Sequence, residues 1–370
     1  MIKILHISAN TYPSLNGKNH HTKNIWRELA KGFDEYHVLA RSETNKYNYS
    51  EEGNIHLHLM PRLTKKSKIF FFTSFWMFWI IKKYKITHLL AQCPIVGGFT
   101  ATLASRLYKI PLMAEIHGDV YFKYMQGKIF VHKIFSKITK FTFNNATKIR
   151  SLSSAMNDLL VMYGFTQNIV IVPNRVNLEL FNSNKNSYHL HKPIRIISIG
   201  RFVEQKAYDI AIEAIKQLGK KYNIELHLIG GGELYDKYAT LSKGYENIKL
   251  IKWIEQSELK VLLEQSDIYI QPSRPYFGEA MPRTILEAMA MKLPIIATNI
   301  AAIPGILNET NAVVINPNKA DELVDAIVKL INNDEFREKI ALQGYKDVVE
   351  KYEWSKVFEL YRSEIKSMRY

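Results

Sequence analysis

The sequence predicts an α/β chain made of two open, mainly parallel sheets with a cleft between them, and three observations carry that expectation. Short β-branched runs alternate with amphipathic stretches along the whole length, which is the pattern of strand–helix–strand units. A polar, Asn-rich stretch at 177–192 (NLELFNSNKNSYHLHK) separates two such series, as a linker would. With 370 residues, 47% hydrophobic and 23% charged, the chain has enough apolar material for two ordinary domains. The expected division is 1–176, a linker at 177–192, and 193–353, with a last helix at about 354–370 that could pack back on the first domain.

In the first series Ile2 to Ser8 reads as a strand. A polar loop from Asn10 to His21 contains Pro13, Asn16 and Gly17, a helix follows from about Lys23 to Lys31, and a strand runs from Tyr36 to Ala40. Further strands are expected at Ile55 to Met60, Ile86 to Ala91, Leu112 to Ile116 and Lys148 to Leu152, and Asn168 to Val172 closes this half. The second series restarts at Ile194 to Ile199, with a helix at about Ala207 to Leu218. Its later strands are Glu225 to Ile229, Ile248 to Ile251, Asp267 to Gln271 and Pro294 to Thr298. Two open sheets of this kind bind ligands beyond their strand ends.

Cys93 is the single cysteine, which excludes intramolecular disulfides and cysteine-rich metal sites and suits a reducing compartment. The opening MIKILHISAN reads as a strand with no cleavable signal pattern after it, so the expected location is the cytoplasm. The net charge of +15 is uneven: residues 1–190 hold 25 Lys+Arg against 10 Asp+Glu, and residues 191–370 hold 25 against 25. The excess therefore sits entirely in the first half.

Two segments concentrate that charge. Between 60 and 85 there are seven basic residues and no acid, around an apolar run from Ile69 to Ile81. Thirteen residues are too few to cross a bilayer, which takes about 20. The composition suits a helix lying in an anionic membrane interface, or an aromatic core helix with solvated lysines. A second segment has no acid between Asp119 and Asp158, with Lys133, Lys137 and Lys140 at helical spacing opposite Phe130, Ile134 and Ile138. No zinc-finger spacing, helix-turn-helix or RNA-binding sheet motif supports a nucleic-acid partner.

The chemistry gathers in Tyr276 to Lys292, YFGEAMPRTILEAMAMK. Pro282 suits a helix start, and Ile285, Leu286, Ala288, Met289 and Ala290 leave that helix almost no polar face. Glu287 lies inside this apolar surround, where an unpaired carboxylate would cost several kcal/mol. Glu279 stands eight residues earlier, so two acids flank a helix N-terminus able to favour an anion such as phosphate. A core arginine paired with Glu287, and a solvated Glu279, would also satisfy the pattern. IGRFVEQK at 199–206 ends a strand with Gly200 and offers Arg201 and Lys206, a pair suited to a diphosphate or simply solvated on a loop. IGGGEL at 229–234 lacks dinucleotide GxGxxG spacing.

Taken together, EIHGD, VPNRVN, GRFVEQK and EAMPRTILE, in this order along the chain, resemble the motifs of the retaining glycosyltransferases of family four, which have the GT-B fold of two Rossmann-like domains. The resemblance spans nearly the whole chain. It implies that Arg201 and Lys206 neutralise the donor diphosphate, Glu287 accepts from the ribose hydroxyls, Glu279 contacts the donor sugar and His117 lies near the transferred sugar. It further implies that the loop at Asn16 and Gly17 closes on donor or acceptor, and that Asn174, Met281 and Pro282 contribute to substrate binding. The chain departs from the pattern at Ala280 and Met281, at Asn174-Arg175-Val176-Asn177, and at Asn16-Gly17 in place of a double glycine.

The function implied is transfer of a hexose-type sugar from a nucleotide diphosphate donor, UDP favoured over GDP, with retention, in polysaccharide or glycolipid biosynthesis. The expected acceptor is a lipid-linked saccharide or other glycan on the inner face of the cell membrane, held there by peripheral contact with an anionic surface. No metal and no cofactor are expected, since no Asp-any-Asp triplet is present. Two rivals fit the same residues, a nucleotide-sugar epimerase of similar fold and a non-catalytic nucleotide-sugar-binding membrane protein.

Overall fold

The computed structural model describes residues 1–15, 21–64, 70–118, 120–166, 168–275 and 280–370. These fall into two compact units, Met1–Val172 with Phe358–Tyr370, and Pro173–Val357.

The first unit contains strands β1 (Lys3–Tyr12), β2 (Glu35–Ser42), β3 (Asn48–Glu52), β4 (Ile55–Met60), β5 (His88–Ala91), β6 (Leu112–Glu115), β7 (Lys148–Ser151) and β8 (Ile169–Ile171). They form one sheet in the order β3-β4-β2-β1-β5-β6-β7-β8. Every pairing is parallel except β3 with β4. Ile4, Leu5, Val38, Leu39, Leu89, Leu90 and Leu112 are fully buried, as expected where helices cover both faces of a parallel sheet. β3 was not legible in the sequence, because NYSEE is an edge strand whose acids leave no apolar run.

The second unit contains β9 (Ile194–Ile199), β10 (Ile224–Ile229), β11 (Ile248–Ile251), β12 (Ile268–Gln271), β13 (Ile295–Thr298) and β14 (Val313–Ile315). The order is β11-β10-β9-β12-β13-β14, all parallel. On the helix Tyr208–Leu218 the buried residues Tyr208, Ala211, Ile212, Ile215 and Leu218 recur at three- and four-residue spacing, and they pack on Ile196, Leu226 and Ile268 of the strands. Each large side chain so buried contributes about 1.5–3 kcal/mol. The strand order reverses between β1 and β5 in one sheet and between β9 and β12 in the other. At such a reversal neighbouring loops diverge and leave a crevice beyond the strand ends.

The stretch 177–192 differs from the linker expected of it, because it falls inside the second unit. Phe181 and Tyr188 are buried, the Tyr188 carbonyl accepts from Arg337 Nε at 3.0 Å, and His191 Nδ1 lies 2.8 Å from Asp267 Oδ1. Its polar composition hid these few anchors. Val176 likewise joins the second unit, its amide donating to the Tyr352 carbonyl at 3.0 Å. The chain passes between units after Val172 and after Val357.

The aromatic segment is a short helix Phe70–Thr73, a 3₁₀ turn Ser74–Trp76 and a helix Met77–Tyr84, rather than one interfacial helix. Phe70, Met77, Ile80 and Ile81 are core residues, while Phe72 is 72% and Trp76 44% exposed, with Phe75 and Trp79 also exposed. Lys65, Lys66 and Ile69 lie outside the described residues. On the helix Phe130–Asn145 the apolar residues opposite the lysines are not the buried ones: Phe130 is 76% exposed and Ile134 is exposed. Thr139, Thr142 and Phe143 turn inward instead, and Thr142 Oγ1 donates to the Pro94 carbonyl at 2.8 Å. Among the described residues no helix is long and apolar enough to cross a membrane.

Candidate active site

In the second unit the candidate residues follow the carboxyl ends of β9 and β12, the two strands at the reversal. After Ile199 the chain turns at Gly200. A Cβ there would meet Lys206 Cε at 3.0 Å, so the lysine stem lies across the glycine. Lys206 is buried at the end of the 3₁₀ turn Glu204–Lys206, and Arg201 is exposed one residue past Gly200. The IGGGEL turn clamps this loop. Gly230 and Gly232 have φ of +145° and +154°, and a Cβ on either would strike the carbonyl oxygen of Gly200 or Phe202, at 2.0 and 2.6 Å. The close approach lets Phe202 N donate to Gly231 O at 2.8 Å and Leu234 N to Phe202 O at 3.0 Å. These glycines serve backbone packing that presents Arg201 and Lys206.

The loop after β12 is tied to the same place. Arg274 donates to both oxygens of Asp209 and to Glu204, and its amide donates to the Gln205 carbonyl at 3.0 Å. Tyr269 OH donates to Gln271 Oε1 and accepts from Thr284 Oγ1, each at 2.8 Å, which couples β12 to the helix Arg283–Ala290. Pro282 is the N-cap of that helix. Asn174 fixes the approach to it, with Nδ2 donating to the Met281 carbonyl at 2.6 Å. Asn174, Met281 and Pro282 are thus brought together.

Glu287 sits on this helix with every residue from Ile285 to Ala290 buried. Its own exposure is 9%. Among the described residues no donor is within hydrogen-bonding range of its carboxylate, and burial pushes its pKa up to about 7 against the opposing pull of Arg283 one turn earlier. The sequence-based alternative of a core arginine paired with Glu287 is not what is found. Glu279, Asn16 and Gly17 lie outside the described residues.

In the first unit His117 follows β6, two residues beyond the buried Glu115. Its Nε2 is 2.6 Å from Glu115 Oε2, to which Arg150 Nη1 donates at 3.0 Å, and Tyr361 OH donates to Glu115 Oε1. Burial alone would raise the Glu115 pKa, but Arg150 and His117 hold its carboxyl well below the usual carboxylate range. The imidazole is therefore oriented by a permanently ionised acceptor, with Nδ1 left for a ligand. Arg150, Tyr361 and Arg274 were missed in the sequence. The Glu-any-His spacing in EIHGD, which puts residues 115 and 117 on one side of an extended chain, signals the Glu115 support of His117, but no local spacing signals the other three.

Two mainly parallel α/β units, with charged residues following the carboxyl ends of their strands and a buried carboxylate on the helix after β12, have the architecture of the GT-B class of glycosyltransferases. Residues 15–180 match the family described as Glycosyltransferase Family 4 and residues 181–347 the family described as Glycosyl transferases group 1; the chain belongs to the family-four glycosyltransferases. It is similar to the uncharacterized glycosyltransferase MJ1178 of Methanocaldococcus jannaschii, 25% identical over 93% of each chain. It is also similar to the capsular polysaccharide biosynthesis glycosyltransferase CapM of Staphylococcus aureus, 25% identical over 73% of this chain and 75% of that one. HepE of Anabaena, solved in complex with UDP, shares the fold with a TM-score of 0.77 at 14% identity, over 99% of this chain and all of that one.

Proposed function

We propose that the protein transfers a hexose-type sugar from a UDP-sugar, with retention, to a lipid-linked saccharide or related glycan during polysaccharide or glycolipid synthesis. The observation that carries this reading is Glu287: a buried carboxylate with no donor among the described residues, on the helix after β12, beside the cationic loop after β9. Ribose hydroxyls are donors of the required kind, and Arg201, Lys206 and the helix start would stabilise charge developing on the diphosphate. Glu279 and His117 are assigned to the transferred sugar, Asn174, Met281 and Pro282 to the donor edge, and Asn16 and Gly17 to a closing loop. No protein nucleophile is assigned. The leaving phosphate assists deprotonation of the acceptor on the same face, and the cationic side chains make a catalytic metal unnecessary. The name of CapM and the UDP bound to HepE support the pathway class and the base.

The acceptor is placed at an anionic membrane surface on the cytoplasmic side, with the first unit as the docking face. Phe72, Phe75, Trp76 and Trp79 on one helical segment, and Ile129, Phe130, Val131 and Ile134 at the start of another, are exposed. Lys82, Lys83, Lys133, Lys137 and Lys140 are exposed beside them. Ring contacts Phe71–Phe99 at 5.4 Å and Phe99–Phe141 at 5.6 Å place these helices on one side of the unit. Apolar rings ringed by lysine suit an anionic interface.

The test is a thermal-shift screen of the full chain against UDP-, GDP- and ADP-sugars, followed by a radiolabel transfer assay onto lipid-linked saccharides with the donor that binds. Stabilisation by one UDP-sugar and transfer of its sugar is expected. Isomerised donor without transfer would make the protein an epimerase, and binding without turnover would make it a sugar-nucleotide receptor.

A further inference from the structure

The transferase candidates follow the carboxyl ends of the strands, but a second group of ionisable side chains gathers at the amino ends of β2 and β4. Parallel pairing sets His37 opposite His56, and antiparallel pairing sets Glu51 opposite His56 and Tyr49 opposite His58. Alternation puts Glu35 on the same face as His37. One donor atom from each of Glu35, His37 and His56 lies within 4.8 Å of the others. From this geometry we propose that Glu35, His37 and His56 bind a divalent transition-metal ion of the zinc class.

Two imidazoles and a carboxylate are the donor set that zinc, copper and nickel prefer over calcium or magnesium. A tetrahedron with bonds of ~2.05 Å has edges of about 3.3 Å, so the half-buried side chains of Glu35 and His56 close on His37 by rotation. The surrounding hydrogen bonds already have the polarity a metal needs. Tyr49 OH donates to Glu51 at 2.6 Å and is 2.9 Å from His56 Nδ1, so Nδ1–H is the donor there and Nε2 keeps its lone pair. Tyr49 thus links the imidazole to the Glu51 carboxylate, an outer partner of the kind that orients metal-bound histidines.

His37 Nε2 lies 2.9 Å from Glu35 Oε2, and its Nδ1 is 3.1 Å from His58 Nε2, whose Nδ1 is 3.3 Å from Tyr47 OH. The row His37–His58–Tyr47 is satisfied with its protons facing either way, because a tyrosine hydroxyl both donates and accepts. A metal on His37 Nε2 in place of the hydrogen bond to Glu35 therefore strands no buried nitrogen. Lys3 Nζ, 2.5 Å from Glu35 Oε1, leaves Oε2 for the ion. The ion would staple β4, the strand next to the β3 edge, to β2.

The experiment uses tag-free full chain, measuring the melting temperature with Zn²⁺, Ni²⁺, Mg²⁺ or Ca²⁺ and the visible spectrum with Co²⁺. Zn²⁺ well above its Kd should raise the melting temperature by several degrees, with no effect of Mg²⁺ or Ca²⁺. Co²⁺ should give the strong visible band of a tetrahedral site. Both signals should be lost in His56→Ala and weakened in Glu35→Gln, two half-buried positions, and unchanged in His189→Ala, whose ring is solvent-exposed. No shift with Zn²⁺, or the same shift in His56→Ala as in the parent, would overturn the proposal and leave the row as a hydrogen-bonded strut.

Discussion

Arg274 Nη2 donates to both carboxylate oxygens of Asp209 at 2.8 Å, across 65 positions of sequence. The pair joins the loop after β12 to the first turn of the helix that follows the Arg201–Lys206 loop, so it holds two parts of the proposed donor site at a fixed spacing. Arg274→Ala should raise the donor KM about tenfold with a smaller change in kcat, since it disturbs binding common to ground and transition states. Arg274→Lys cannot reproduce the two-oxygen grip and should recover only part of the loss. Steady-state kinetics on both variants check this, and an unchanged KM in Arg274→Ala would show that the loop keeps its place without the pair.

On the proposed reading, Glu287 makes donor binding depend on pH. With its pKa raised to about 7, the carboxyl is largely neutral at pH 6 and ionised at pH 8.5. Ribose hydroxyls that donate to it favour the ionised form, so donor affinity should fall by up to about tenfold per pH unit below 7 and level off above 8. Glu287→Gln should bind UDP weakly and lose that pH dependence. The stability effect has the opposite sense: a carboxyl whose folded pKa is raised contributes most stability below about 4.5 and loses it as pH rises through 7. Glu287→Gln should therefore be more stable than the parent at pH 8, by up to about 3 kcal/mol, and nearly equal at pH 4.5. Calorimetric titration with UDP and melting curves at both pH values decide the matter.

Glu279 should behave differently from Glu287. If it touches the sugar ring that gains positive charge, Glu279→Gln should lower kcat by roughly ten- to a thousandfold, corresponding to ~1.5–4 kcal/mol, and leave UDP affinity nearly intact. Loss of UDP affinity at 279 with retention at 287 would reverse the two roles.

Vesicle binding tests the docking face. Replacing Lys82, Lys83, Lys133, Lys137 and Lys140 with Ser should release the protein from anionic vesicles at physiological salt, given roughly 1 kcal/mol per cation near such a surface. Equal co-sedimentation of parent and variant would remove the membrane from the acceptor model.

Turnover should persist in EDTA if, as proposed, Arg201 and Lys206 carry the charge that a metal would otherwise supply. A lowered melting temperature with full initial rate is the expected combination if the His37 site also holds an ion. Activity lost in EDTA and restored by Mg²⁺ or Mn²⁺ would contradict metal-independent transfer.

The central strands and the helix Arg283–Ala290 were legible because they are almost wholly apolar, and burial on both faces leaves a signal that needs no partner to be read. Lys206 and Glu287 were legible because a charge next to a glycine turn or inside an apolar run is locally anomalous. The supporting network was not, since Arg274, Arg150 and Tyr361 gain meaning only from residues 65, 35 and 246 positions away. The segment 70–84 shows a different limit. Phe, Trp and Met serve equally well in a core and at an interface, and only the fold sorts Phe70 and Met77 inward from Phe72 and Trp76 outward.

Tyr361 belongs to the first unit although 185 residues of the second are threaded before it, from Pro173 to Val357. A nascent chain that has just emerged through Val172 has the strands and His117 but lacks a hydroxyl that Glu115 is built to receive. At ~5–20 residues per second the ribosome needs roughly 10–40 s more to deliver it. Over that interval Glu115 has only Arg150 and His117 of these three partners, and the imidazole takes its final setting only once Tyr361 has been made. A product that stops before Tyr361 thus carries His117 without the full support of Glu115, whatever part of the second unit it contains.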